Sequence, residues 1–268
     1  MSRKMKIFLF DEIVFGPVQS RRLGVSLGVN LLPVDCKYCN FDCIYCECGR
    51  NTPHQWKNEE KRALKFPAQQ EVAAALERKL TILQSSAQAP DAITFAGNGE
   101  PTIHPAFAGI IDDTVTLRDR YAPHSKISVL TNATMLHRQE VVNALKKTDM
   151  PILKFDSASD ATIELLNQPV KKLTSGLLIR QLQSFGQPCI IQTMFLQGIY
   201  CGQPVDNTTP SELDAWERAI LAIRPAQVMI YTIARETPTD TLAKIPGEKL
   251  REIAARVERH GIAVQVSE

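Results

Sequence analysis

Apolar positions along this chain recur with two different periods, in alternating blocks. Residues 24–30 (GVSLGVN) alternate apolar and small side chains and read as a strand. Residues 91–96, 126–131, 151–155, 188–196, 226–233 and 262–266 are short apolar runs of strand length. Between them the spacing turns helical. Val72, Leu76, Leu80 and Leu83 mark a helix over 69–83, and further helices are expected at 106–120, 137–147, 159–167, 172–185, 210–223 and 246–260. Thr209, Pro210 and Glu212 form a T-x-x-E capping box with proline in the first turn. Gly261 closes the last helix. Residues 7–10 and 13–15 read as an N-terminal strand or hairpin. Residues 51–67, with Trp56 and the charged run 57–62, read as a solvated surface excursion, and 198–208 as a loop.

Strands alternating with helices mean βα units and a mainly parallel sheet. Six units start from the strand at 24–30, and a final strand follows. Eight units close a full barrel, so six predict an α/β fold with a partial, open βα barrel. A doubly wound sheet shares the same periodicity and stays as the alternative. In both, the site lies at the carboxyl ends of the strands. Residues 1–268 read as a single domain, with an N-terminal strand or hairpin extension at about 1–23. There is no internal repeat, low-complexity segment or convincing linker.

Composition narrows the functional classes. The 268 residues are 44% hydrophobic and 22% charged, as in ordinary globular proteins, and the net charge is +2. That charge argues against nucleic-acid binding by bulk electrostatics, though a local basic patch is compatible with it. No apolar run approaches the length of a membrane span. The basic start (Arg3, Lys4, Lys6) leads into a short apolar run that Asp11 and Glu12 interrupt, so no signal peptide is expected and the chain reads as cytoplasmic. In a reducing compartment clustered cysteines mark metal or redox chemistry more often than disulfides. There are seven, an odd number, and five fall between Cys36 and Cys48.

Cys39, Cys43 and Cys46 form a C-x3-C-x2-C array just beyond the carboxyl end of a strand. Three thiolates can hold an iron–sulfur cluster and leave one iron open, which is the mark of a reactive rather than a structural centre. Structural zinc normally shows a second C-x2-C pair, which is missing here. Cys36 and Cys48 flank the array and could complete a closed four-cysteine site, so a non-enzymatic electron carrier or a zinc-stabilised module stays open as an alternative. Gly97-Asn98-Gly99-Glu100 follows the strand at 91–96, where glycines let the backbone approach a ligand closely. Thr131-Asn132, Asp156-Ser157 and Gln192 lie at or near later strand ends. Arg21 and Arg22 suit phosphate or carboxylate recognition, or ordinary surface ion pairs. His54, His104, His124, His137 and His260 show no metal-ligand spacing and read as structural.

The array, with aromatic Tyr45 before its last cysteine, resembles the signature of the radical SAM superfamily. The resemblance implies a [4Fe–4S] cluster on Cys39, Cys43 and Cys46, with its open iron chelated by S-adenosylmethionine (SAM). One electron, from a reductant such as flavodoxin or ferredoxin, then cleaves SAM to methionine and a 5′-deoxyadenosyl radical, which abstracts a substrate hydrogen. Gly97, Asn98, Gly99 and Glu100 resemble the family's GGE motif, which binds the SAM amino group, with Asn98 in one glycine position. Tyr45 takes the position near the adenine, and Asn132, Asp156 and Gln192 take SAM-contacting positions. Residues 15–33, 97–105, 154–169 and 191–196 further resemble a subgroup related to tRNA wyosine-base synthases, in which a non-cysteine is expected at Cys36. The subgroup implies a tRNA base as one substrate class; a peptide or protein, a small molecule and the activation of a glycyl-radical enzyme stay open beside it. The low net charge counts against the first.

Overall fold

The computed structural model describes residues 8–51, 65–185 and 188–268. The basic start with residue 7, the run 57–62 with Trp56, and His54 lie outside the described residues.

The chain forms β1 (Val14–Ser20), β2 (Gly24–Val29), α1 (Gln69–Ser85), β3 (Ala92–Phe95), a 3-10 turn (Pro101–Ile103), α2 (Phe107–Tyr121), β4 (Lys126–Thr131), α3 (Gln139–Leu145), β5 (Met150–Lys154), α4 (Asp160–Asn167) and α5 (Ser175–Ser184). It continues through β6 (Ile190–Met194), β7 (Leu196–Tyr200), β8 (Gln203–Asp206), α6 (Pro210–Ile223), β9 (Gln227–Tyr231), β10 (Leu242–Lys244), α7 (Gly247–Glu258) and β11 (Ala263–Ser267). The main sheet has the order β1-β2-β3-β4-β5-β6-β9-β11. Only β1 pairs antiparallel, with β2; the other pairs are parallel. A doubly wound sheet reverses its strand order at a switch point. This order never reverses, so the sheet curls in one direction into an open half-barrel.

Side chains alternate across the sheet, and the two faces differ in kind. Outward residues such as Leu27, Ile93, Phe95, Val129, Leu153, Ile191 and Val228 join Val72, Leu76, Ile110 and Trp216 of the helices in the main core. The inner face follows from the register: Thr94 lies opposite Ser128, Leu130 opposite Ile152, Lys154 opposite Gln192, and Met194 opposite Tyr231. Ile152, Ile190 and Met229 on that face pack against Leu23 and Leu130. Leu23 belongs to the β1–β2 turn, so that turn reaches into the half-barrel.

Three local expectations change. The N-terminal hairpin is β1–β2; residues 8–13 form no strand, and Phe10 stacks on Phe15 with ring centroids 3.6 Å apart. The segment 198–208 is the β7–β8 hairpin, extended by β10 in a second sheet of order β10-β7-β8. Its turn residues Cys201 and Gly202 have φ of 49° and 76°, which suits a two-residue hairpin; cysteine there gave no turn signal. Finally, Thr209 caps α6 by accepting from the Glu212 amide at 3.3 Å. The Glu212 carboxylate accepts instead from Ser157 Oγ and Thr162 Oγ1, both at 2.6 Å, and so ties α6 to the start of α4. Among the described residues no helix is long and apolar enough to cross a membrane.

Candidate functional site

The cysteine loop leaves the carboxyl end of β2 without regular structure and is held on two sides. On one side Tyr38 forms a parallel bridge to Gly99: the Tyr38 amide donates to Asn98 O at 2.7 Å, and the Glu100 amide to Tyr38 O at 3.2 Å. Gly99 has φ of 147°, and a Cβ there would lie 1.9 Å from Tyr38 O, so only glycine fits. On the other side the loop runs against the end of α4, with Ile44 N donating to Leu166 O and Asp42 N to Asn167 O, both at 2.9 Å. Asn51 Nδ2 closes it by donating to Cys39 O at 2.8 Å and Phe41 O at 3.1 Å.

This lacing gathers the three array thiols with polar and cationic neighbours. Asn132 Nδ2 lies 3.7 Å from Cys39 Sγ, and Asn167 Nδ2 lies 3.5 Å from Cys43 Sγ. Cys48 Sγ donates to Gly97 O at 3.3 Å. Two lysines supply positive charge, Lys37 fully buried and Lys154 partly so. Lys37, with its side chain 1% exposed, donates to Asp42 Oδ1 and to Gly49 O, each at 2.9 Å. Burial alone would lower its pKa, but the charges of Cys46, Cys39, Cys43 and Asp42 outweigh burial and hold the ammonium above its ordinary value. Lys154 sits 3.3 Å from Asp156 Oδ2 and 4.9 Å over the Tyr45 ring. Burial opposes its charge too, and Asp156, Tyr231 and Cys43 overcome it. Burial pushes the Cys39 and Cys43 thiols up, against the pull of Lys37 and, at Cys43, of Lys154. Cys46 is lowered to about 6: a hydrogen bond from Cys48 outweighs burial, and Lys37 adds to it.

Neither lysine belongs to the cysteine array or the glycine motif. The signal was there in part, since Lys154 stands two residues before Asp156 on the inner face of β5, and Lys37 two before Cys39.

The other candidate residues divide into three groups. Tyr45, Asp156 and Glu100 sit in the network around the thiols. Tyr45 OH donates to Asp156, whose carboxylate also accepts from Asn167 Nδ2 at 2.7 Å and the Met194 amide at 3.0 Å. Glu100 is buried and accepts from Thr102, from Thr131 Oγ1 at 2.6 Å and from the Asn132 amide at 2.7 Å. Burial raises its pKa against those bonds. Its carboxylate therefore locks the end of β3 to the end of β4. Asn98 turns away from the thiols. Its side chain accepts from Phe10 N at 2.8 Å and donates to Phe10 O and Pro33 O, both at 2.9 Å. An asparagine in the family's glycine position thus pins the segment before β1. Gln192 faces the half-barrel, and its Nε2 is buried with no hydrogen-bond partner among the described residues. Gly97 lies against Asn30, whose Oδ1 would be 2.3 Å from an added Cβ.

His104 is structural, as expected. Its Nε2 lies 2.9 Å from Pro67 O, and its Nδ1 accepts from the Ala106 amide at 3.1 Å before α2. An apolar groove of about 480 Å³ runs against the cysteine loop at Asn40 and Phe41, with Lys171 and Lys172 among its lining residues.

Fold and site together define an α/β half-barrel protein with a cysteine-rich centre on the carboxyl rim of its sheet. Within that class the chain belongs to the radical SAM superfamily, whose model matches residues 34–198. The superfamily consists of enzymes whose cofactors are a [4Fe–4S] cluster and SAM. Among curated relatives, a UPF0026 protein of Methanocaldococcus jannaschii is 32% identical over 191 residues, covering 70% of this chain and 55% of the relative. A Brachyspira hyodysenteriae protein named GTPase Obg is 26% identical over 249 residues, 93% of this chain but 34% of that protein. This chain thus spans about a third to a half of these two relatives, and it carries no G-x4-G-K-[ST] sequence of its own. Among solved structures, a radical SAM methyltransferase of Sphaerobacter thermophilus aligns with a TM-score of 0.65 at 13% identity, over 90% of this chain and 65% of that one. SuiB of Streptococcus suis, bound to SAM, aligns at 0.60 and 17%, over 89% and 50%. These two likenesses concern the fold.

Proposed function

We propose that this chain is a radical SAM enzyme in which Cys39, Cys43 and Cys46 hold the [4Fe–4S] cluster and the inner face of the half-barrel receives SAM and substrate. When bound, cluster and SAM supply one-electron cleavage of SAM to a 5′-deoxyadenosyl radical that abstracts a substrate hydrogen. The observation carrying the proposal is that the three thiols of one loop lie within charge reach of two ammonium groups, buried Lys37 and partly buried Lys154. Thiolates are the usual cluster ligands, and buried cations offset the negative charge that ligation concentrates there.

The chain's own residues then have distinct tasks. Asn132 and Asn167 direct amide N–H groups at Cys39 and Cys43. Glu100 fixes the turn at Gly97–Gly99, leaving backbone groups there to meet the SAM amino group. Tyr45 and Asp156 form the wall beside the adenosine, and Gln192 offers it a free N–H donor. The curled sheet and the loop restrict water around the reacting atoms. The 1–268 chain works as a single cytoplasmic domain, with β1 and its turn as an N-terminal extension. A flavodoxin or ferredoxin supplies the electron. The substrate is a tRNA base, a peptide or protein, or a small molecule.

The test is anaerobic reconstitution, reduction and addition of SAM, with 5′-deoxyadenosine as the readout. Formation of the nucleoside, with cluster loss in Cys39→Ala, Cys43→Ala and Cys46→Ala but not in Cys36→Ala, is the expected result. No turnover, together with a metal that requires Cys36 or Cys48, would replace this reading by a closed, non-catalytic centre.

A further inference from the structure

The β1–β2 turn is Ser20-Arg21-Arg22-Leu23. Ser20 Oγ accepts from the Arg22 amide at 3.3 Å and the Leu23 amide at 3.2 Å, so the turn is locally fixed. Leu23 packs on Ile152, Ile190 and Met229 inside the half-barrel. Arg22 enters beside it, its Cζ lying 4.6 Å from the centroid of the Tyr231 ring. Tyr231 is an inner-face residue opposite Met194, and like Cys39 and Cys46 it packs against the hydrophobic cluster that contains Cys43 and Tyr45. The guanidinium is thus one side chain away from the cysteine loop.

Arg22 Nη1 is buried and has no hydrogen-bond partner among the described residues. Its neighbour Arg21 behaves differently: it is exposed and donates to Glu268 O at 2.5 Å. Arginine stays protonated, and its N–H groups can only donate. A buried charged donor without an acceptor is costly unless something pairs with it. Two more polar atoms on the same concave face are buried and unpartnered, Ser128 Oγ and Gln192 Nε2. Ser128 is fully buried and Gln192 is 6% exposed. Gln192 is the donor placed beside the adenosine; of the unpartnered donors the charged one, Arg22 Nη1, selects an anion.

We propose that Arg22 anchors an anionic group of the substrate, a carboxylate or a phosphate monoester, inside the half-barrel. The planar guanidinium matches both groups and can pair two N–H donors with two oxygens. The inference rests on the reading that SAM chemistry takes place on this inner face. The carboxylate of SAM is the competing occupant, and the surface lysines Lys171 and Lys172 are the competing anion site.

The test uses the reconstituted protein and calorimetric titration with inorganic phosphate and, separately, acetate. The wild type, Arg22→Gln, Arg22→Lys and a Lys171→Gln/Lys172→Gln double variant are compared, and SAM affinity and iron content are measured on the same samples. The expected result is saturable one-to-one binding of at least one anion that weakens tenfold or more in Arg22→Gln. That loss exceeds any loss of SAM affinity, and Arg22→Lys retains more than Arg22→Gln. Saturation by phosphate points to a phosphoryl substrate, and by acetate to a carboxylic acid. No saturable binding to the wild type, unchanged binding in Arg22→Gln, binding lost only in the double lysine variant, or a larger loss for SAM than for the anion would each overturn the assignment. A wild type that binds the anion but forms no cluster would instead strike at the enzymatic reading.

Discussion

Gly99→Ala tests how the cysteine loop is held. The added methyl carbon would lie 1.9 Å from Tyr38 O, 2.4 Å from Tyr38 C and 2.9 Å from Leu32 Cδ1. Non-bonded contacts settle near ~3.5 Å, so the Tyr38 carbonyl must retreat by roughly 1.5 Å. That retreat breaks the bonds from Tyr38 N to Asn98 O and from Glu100 N to Tyr38 O. Each backbone bond contributes ~0.5–1.5 kcal/mol, and an L-residue at the Gly99 φ adds ~1–3 kcal/mol of strain. The expected cost is about 2–6 kcal/mol. Gly261→Ala is the control: its φ is 78°, and an added Cβ meets nothing within 4 Å. There only strain of ~1–2 kcal/mol remains. The assay is urea unfolding of both variants, with iron per chain after anaerobic reconstitution. Gly99→Ala should be the less stable and should lose iron, whereas Gly261→Ala should keep it. Equal midpoints together with wild-type iron content in Gly99→Ala would refute the argument that the Tyr38–Gly99 bridge positions the thiols.

Asn98→Ala removes three hydrogen bonds to Phe10 and Pro33 and should cost ~1.5–4 kcal/mol. Hydrogen exchange should quicken at residues 8–13 first; uniform quickening across the sheet would contradict this. Lys37→Met removes a buried cation beside the three thiols, so potentiometric titration of the reconstituted cluster should give a more negative potential. An unchanged potential would show that the charge is screened. Burial would raise the pKa of Glu217, but hydrogen bonds from Arg259, His260 and Arg256 outweigh it and hold the carboxyl below its ordinary value. Its folded pKa lies below its unfolded one, so its stabilisation is present above about pH 4.3 and is lost as pH falls through the folded pKa. Melting temperatures of the wild type and Glu217→Gln should therefore converge toward low pH, and parallel curves would exclude the ion cluster as the cause.

Much of this was legible because burial on one or both faces imposes a period. The runs at 126–131 and 91–96 are buried on the sheet and appear within a residue of where the pattern places them. The order of strands was not legible, because periodicity carries no information on which edge a strand joins. The β7–β8 hairpin escaped because its turn uses Cys201 rather than asparagine or aspartate before Gly202. In the site, cysteine spacing and the glycine turn stand out along the chain. Asn167 does not, since its meaning comes from Cys43, 124 residues away, and Lys37 and Lys154 lie outside both motifs although Asp42 and Asp156 lie close in sequence. Asn98 stands in the glycine-rich cofactor motif by position, and its side chain bonds Phe10 and Pro33, contacts that position in a motif does not reveal.

The order of the main sheet also bears on synthesis. Its strands pair in the order in which they leave the ribosome, so each parallel strand finds its partner already made. Among the described residues, the amides that approach Cys39 and Cys43 come from Asn132 and Asn167, no later than α4, while Met194, Leu196 and Val205 of the apolar cluster beside the loop follow later. The thiol environment can therefore assemble while the far wall, with Gln192 and Tyr231, is still being made. A nascent chain whose α4 has cleared the ribosome can already bring Asn132 and Asn167 to the cysteine loop, before the wall that faces it exists.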